Sequence, residues 1–181
     1  MTVDATTTRR PDLSVPPELY VEVQQFYAWQ MPLLEAREFE SFLETLTEDS
    51  VLSHSPMGWR LEGREVILAE MRQRRGDPDK PRSEITSPRH ARDRGIAYYD
   101  GLVYRYWFDK MLVEPEVDGQ VRVRYQAMMS MTDDRGKVAF EPTTTVRDVL
   151  VRCSDGLLRT ATRHITHDTP AWADNPHNPD R

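Results

Sequence analysis

Apolar residues recur along this chain with two different periods, and the change from one to the other divides it. Between Glu18 and Glu35 the apolar positions Tyr20, Val23, Tyr27, Met31 and Leu34 fall three or four residues apart, widened by Leu19, Phe26 and Leu33. That spacing is the stripe of an amphipathic helix packed on something large. Pro16-Pro17 suits its first turn, where a missing N–H costs nothing. Pro32 predicts a kink or an end at its last turn. A second, shorter helix over about 38–46 carries Phe39, Phe42, Leu43 and Leu46 on one side. Residues 50–55 form a short strand stopped by Pro56, and 57–60 a loop. A third helix over about 64–74 has Val66, Ile67, Leu68 and Met71 as its apolar side.

From residue 102 onward the period is two. A strand over 102–114 leads into Asp118-Gly119, a strong hairpin signal. In 120–132, Val121, Val123, Tyr125, Ala127 and Met129 alternate with Arg122, Arg124, Gln126 and Ser130. The chain turns at 133–136, returns over 137–152, turns again at Ser154-Asp155-Gly156 and closes over 157–168. Residues 1–14 and 169–181 show no apolar period and are expected to be flexible tails. The stretch 76–100, punctuated by Pro78, Pro81 and Pro88, is expected to be a long, partly ordered excursion. What remains is a single domain over 15–168. Helices segregated from a meander of four long antiparallel strands mean α+β. A strongly curved sheet wrapped on N-terminal helices makes a cone whose wide mouth can hold a ligand, and whose sheet edges invite a homodimer.

Composition narrows the functional classes. A length of 181 residues gives one domain with a respectable core. The net charge of -6 argues against nucleic acid and anionic membranes as partners. No apolar run approaches spanning length and no signal peptide opens the chain. The one cysteine, Cys153, rules out an internal disulfide framework and points to a reducing, cytoplasmic setting. No His-x-His, Cys or carboxylate cluster suggests a metal, and no phosphate loop suggests a bound redox cofactor, so none of either is expected.

The order and spacing of several segments resemble the NTF2-like or SnoaL-like α+β cone family. They are Gln25-Phe-Tyr-Ala-Trp-Gln-Met31, Phe42-Leu-Glu-Thr-Leu-Thr-Glu-Asp-Ser-Val-Leu-Ser-His-Ser-Pro56, Gly63-Arg-Glu-Val-Ile67 and the terminal hairpin. The family includes ketosteroid isomerase, scytalone dehydratase, SnoaL-type polyketide cyclases and the small subunits of aromatic-ring-hydroxylating dioxygenases. Met111-Leu-Val-Glu-Pro-Glu116, Val121-Arg-Val-Arg-Tyr125 and Asp148-Val-Leu-Val-Arg152 resemble members from actinomycete natural-product pathways. The resemblance implies a cofactor-independent lyase or isomerase that cyclises, dehydrates or isomerises an aromatic or polyketide-derived intermediate. Its alternative is a non-catalytic small subunit, or a small-molecule binder.

Three residues are candidates for chemistry. Asp148, an acid amid apolar strand residues, is expensive to bury unless something uses or satisfies it. The resemblance implies a protonated acid that donates to a developing oxyanion; the other reading pairs Asp148 with Arg147, Arg124 or Arg163 across the sheet. His54, at the end of the first strand, suits proton transfer near neutrality. Ser55 follows it where the steroid isomerase has an aspartate before the proline. Tyr27, on the core stripe of the first helix, is either a donor to the cavity or a core tyrosine with a satisfied hydroxyl; nearer the steroid isomerase's tyrosine stand Gln30 and Met31. For a flat apolar ligand, the expected lining is Met31, Trp59, Tyr106 and Trp107, together with Tyr125, Met129 and His164. His164 and His167 are expected on opposite faces of the last strand.

Overall fold

The computed structural model describes residues 15–55, 58–75, 103–133 and 135–168, with backbone alone at 59 and 73–75. The expectations for 1–14, 76–100 and 169–181 lie outside the described residues. Helix α1 spans Pro17–Ala36, with proline at its first position and Pro32 inside it. The helix continues past Pro32 for another turn and ends at Arg37 in the left-handed region (φ 62°), where the N–H of Glu38 reaches back to the Leu33 carbonyl. Helix α2 is Phe39–Glu44 and α3 is Arg64–Arg75.

The strands are β1 (Leu46–Ser55), β2 (Trp59–Glu62), β3 (Val103–Val113), β4 (Gln120–Thr132), β5 (Val138–Phe140), β6 (Thr144–Arg152) and β7 (Leu158–His167). They form one sheet in the order β2-β1-β7-β6-β4-β3, with β5 beside the far end of β4. Three expectations need correction. Residues 59–62 are a strand rather than a loop, because β1 runs long enough to pair back on them from Val51 to His54. The run 137–152 is two strands, broken around Pro142, whose missing N–H cannot join a ladder. The sheet is mixed, since β1 and β7 pair in parallel.

The hairpin between β3 and β4 is the expected one. Asp118 and Gly119 both have positive φ (51° and 73°), the geometry whose twist matches the flanking strands. A bulge between Asp109 and Leu112 in β3, with Lys110 at φ 51°, bends that strand. Glu35, near the end of α1, covers the edge of β3: its Oε1 accepts from the Tyr106 N–H at 2.8 Å and its Oε2 from Arg105 at 3.0 Å. Burial pushes the Glu35 carboxyl upward against the pull of Arg105.

Register decides which side chains face α1. Cross-strand partners share a face, so Leu52, Arg163, Asp148 and Val123 form one inner row. His54, Ile165, Val146 and Tyr125 form the next, and His167, Thr144, Ala127 and Phe108 a third. The inner face is sealed at one end, where Leu46, Leu158, Leu150 and Val121 are buried. At the other end His54, His167, Ala127, Phe108, Tyr106 and Met129 are only half-buried. The inner face is thus closed at one end and accessible at the other.

Candidate functional site

Asp148 lies mid-strand in β6 and points at α1, 2 % exposed. A carboxylate so placed must have its lone pairs met. Arg163, its partner on β7, donates through Nε at 3.0 and 3.1 Å and through Nη2 at 2.6 Å. Tyr27 of α1 donates its hydroxyl to Oδ2 at 2.8 Å. Arg163 Nη2 also reaches Gln30 Oε1 at 2.7 Å, and the Gln30 amide donates to Thr45 Oγ1 (2.7 Å) and Thr160 Oγ1 (3.2 Å). One fork-shaped guanidinium thus ties α1, β6 and β7 together.

Electrostatics agree with that geometry. Burial, reinforced by the Asp148 charge, holds the Tyr27 hydroxyl well above the usual tyrosine range, so it is a neutral donor. Burial likewise raises Tyr125, whose ring stands 5.0 Å from that of Tyr27. Desolvation is the strongest single influence on Arg163 and works against its charge, but Asp148 together with the neighbouring Tyr125 and Tyr27 more than offsets it and the guanidinium stays protonated. Of the two readings of Asp148, the contacts seen are those of the cross-strand pair. In this structure its oxygens accept from Arg163 and Tyr27, so the carboxylate is an acceptor, and the cross-strand pairing with Arg163 is the reading that the geometry realises.

His54 is on the inner face, two residues beyond Leu52 along β1. Its Nε2 lies 2.8 Å from Nε2 of His167, with ring centroids 4.5 Å apart and planes inclined by 62°. His164, expected to line a pocket, faces the other way: its Nδ1 is 2.7 Å from Ser53 Oγ on the opposite side of the sheet. Trp107 is also on that outer face, 55 % exposed, with its indole N–H on Ser130 Oγ at 3.0 Å. Alternation makes this unavoidable, because Trp107 sits between inward Tyr106 and Phe108. Met31 and Tyr125 are buried in the core, while Tyr106 and Met129 are half-buried on the inner face. The Trp59 backbone pairs with His54, and its side chain lies outside the described residues.

Gln30 and His167 were not selected as site members from the sequence, whereas Arg163 was among the three partners named for Asp148. A glutamine within an apolar helical stripe was the available signal for Gln30. Among the described residues no group of three or more His, Cys, Asp or Glu side chains is arranged to hold a metal ion. No helix described is long and apolar enough to cross a membrane.

Comparison with known proteins adds the lineage. No curated protein matches the sequence. Among solved structures, Aln2 from a Streptomyces species is 38 % identical, with a TM-score of 0.66 over 85 % of this chain and 94 % of that one. ActVI-ORFA from Streptomyces coelicolor is 29 % identical, with a TM-score of 0.65 over 83 % and 98 %. A Catenulispora acidiphila protein in complex with S-DNPA is 30 % identical, with a TM-score of 0.67 over 88 % and 100 %. The β subunit of a Burkholderia mallei benzoate 1,2-dioxygenase, at 11 % identity and a TM-score of 0.60, shares the fold alone. The model of the SnoaL-like domain matches residues 18–164, nearly the whole described body including the Asp148 network and His54. The chain belongs to the SnoaL-like family, an α+β protein with helices packed on a curved mixed sheet.

Proposed function

We propose that this protein is an acid/base enzyme that cyclises, dehydrates or isomerises an aromatic, polyketide-derived molecule bound at the accessible end of the inner face. The observation that carries this reading is His54. It stands on the same inner face as the Asp148 network, towards the half-buried end of that face, whose apolar residues across the sheet are Phe108 and Tyr106 of β3 and Met129 and Ala127 of β4. Imidazole suits proton transfer near neutral pH, and flat apolar side chains suit a ring system. The complex of a 30 % identical relative with S-DNPA supports a small molecule as the ligand.

Asp148, Tyr27 and Arg163 have a different part in this reading. They are sealed and satisfy one another, so they fix the position of α1 over the sheet and set the depth of the site, in place of direct oxyanion stabilisation by Asp148 and Tyr27. Likeness to dioxygenase β subunits is a likeness of fold, and nothing else favours the small-subunit role.

The test is a direct one. The purified protein is titrated with S-DNPA, and a panel of aromatic polyketide-derived ketones is incubated with it in deuterated buffer. Proton exchange next to the carbonyl is followed by NMR. Saturable binding is expected, with catalysed exchange that falls by about 10²–10⁴-fold in His54→Ala. Exchange at the wild-type rate in a folded His54→Ala protein, or no binding and no exchange in the wild type, overturns the proposal.

A further inference from the structure

The outer face of the sheet, away from α1, carries a row of side chains that the site described above does not use. Cross-strand pairing sets Arg60 of β2, Ser53 of β1, His164 of β7, Arg147 of β6 and Arg124 of β4 level with one another. Arg60, Arg124 and Arg147 are exposed, and so is Arg122, two residues from Arg124 on the same face. Arg124 and Arg147 are direct partners in the ladder, and like charges placed opposite one another cost stability. The chain as a whole is acidic, with a net charge of -6. Yet across this row and the two that flank it, β1, β7, β6 and β4 turn no acid outward. Acids return at the borders, as Glu62 of β2, paired with Arg60 at 2.6 Å, and Asp109 of β3. Among the described residues neither Arg122 nor Arg124 forms an ion pair.

We infer that this row is a docking surface for an acidic helix of a partner protein, lying across the strands with one carboxylate per turn against the arginines. Neighbouring strands lie about 4.8 Å apart, so the row from Arg60 to Arg124 runs about 19 Å. A helix advances about 5.4 Å per turn, and side chains three or four residues apart share a face. An acidic stripe on about 12 helical residues therefore keeps step with the strands over the whole row. An extended segment does not, because residues on one of its faces recur only every 6.7 Å or about that. Val51 and Val149, half-buried in a flanking row, offer apolar ground beside the charges. A second copy of this chain fits less well, since a two-fold contact through this face brings two arginine rows together. A nucleic acid fits less well too, because its charge continues past the row onto the acidic remainder of the protein.

The probe is a fluorescein-labelled, alanine-based peptide of about 16 residues, long enough to hold a helix in water, with glutamate once per turn along one face. Its counterpart has glutamine at the same positions. Anisotropy is read against the full chain at about 20 mM and about 150 mM salt. Saturable binding of the glutamate peptide is expected, weaker at the higher salt, with the glutamine peptide about tenfold weaker or more. Arg122→Gln/Arg124→Gln should weaken binding of the glutamate peptide about tenfold at low salt, where exposed ion pairs count most. Arg135→Gln, in the turn beyond β4, should leave it unchanged. The double variant loses a like-charge contact, so its Tm should be at least that of the wild type, which separates lost charge from lost fold. No binding of the glutamate peptide by the wild type overturns the inference. So does equal binding by the double variant, equal binding of the glutamine peptide, or tighter arginine-dependent binding of a single-stranded DNA oligonucleotide than of the glutamate peptide.

Discussion

Breaking the Asp148–Arg163 pair from one side should be far worse than removing it altogether. The side chains are 0 % and 6 % exposed, so neither charge has water to fall back on. Arg163→Met leaves Asp148 with the Tyr27 hydroxyl, and strips Gln30 Oε1 of its guanidinium donor. An uncompensated buried charge costs about 3–5 kcal/mol. For a chain of this length each kcal/mol is about 2–4 °C in Tm, so a fall of about 6–20 °C is expected. Asp148→Leu should cost about as much, because Arg163 is then the orphan. The double variant Asp148→Leu/Arg163→Met removes both charges and leaves only Tyr27 Oη and Gln30 Oε1 to satisfy, each worth about 1–3 kcal/mol. Apolar packing in place of the ions offsets about 1–4 kcal/mol of that. The double variant should therefore be more stable than either single one, against a sum of about 6–10 kcal/mol if the costs were independent. Urea unfolding followed by tryptophan fluorescence measures all four corners of the cycle. Single variants within about 1 kcal/mol of wild type, or a double variant equal to the sum, would refute the reasoning.

Smaller perturbations probe the same frame. Tyr27→Phe deletes one donor to a charged acceptor and should cost about 1.5–3 kcal/mol by urea unfolding while leaving the Asp148–Arg163 bonds in place; a stability equal to wild type would mean that the hydroxyl contributes nothing. Glu22 accepts from Arg152 at 2.7 and 2.9 Å, and those bonds lower its pKa from 4.5. A lowered folded-state pKa gives stability that is present above the unfolded value and lost as pH falls through the folded one. Glu22→Gln, at a partly exposed pair, should cost about 0.5 kcal/mol at neutral pH and nothing in strong acid; an equal cost in both buffers contradicts this. A Cβ at Gly119 meets nothing within 4 Å, so the effect of Gly119→Ala is purely one of the positive φ, about 1 kcal/mol of destabilisation. An unchanged Tm would show that the turn relaxes to another type.

Period alone was enough to find α1, the Asp118-Gly119 turn and β4, because each is a local pattern held by the chain's own neighbours. It failed where a partner distant in sequence decides. Trp59-Arg-Leu-Glu62 alternates, but four residues are too few to mark a strand, and they are one because β1 extends far enough to receive them. The β6–β7 ladder slips between Val149 and Leu150, so one residue of β7, Ala161, opposes none of β6 there. Leu158 and Thr160 face inward before the slip, and Arg163, Ile165 and His167 after it. Nothing in Thr160-Ala161-Thr162 marks that change of phase. Asp148 was visible as a costly acid, but its acceptor role came from Arg163, fifteen residues on. His167 was placed opposite His164 correctly, yet its meeting with His54 depends on a parallel register that no local pattern encodes.

That parallel pair also makes the inner face contingent on a strand that comes late in chain order. His54 and His167 stand 113 residues apart in sequence, and the strand that brings them together is central in the sheet but the last of the described strands in sequence. On a ribosome adding about 5–20 residues per second, the edges of β1 and β6 wait about 1–3 seconds after β6 is made before β7 is complete. Closing so long a loop is slow, and open edges invite association with other chains. The contact between His54 and His167 therefore forms only once β7 has found its slot between β1 and β6.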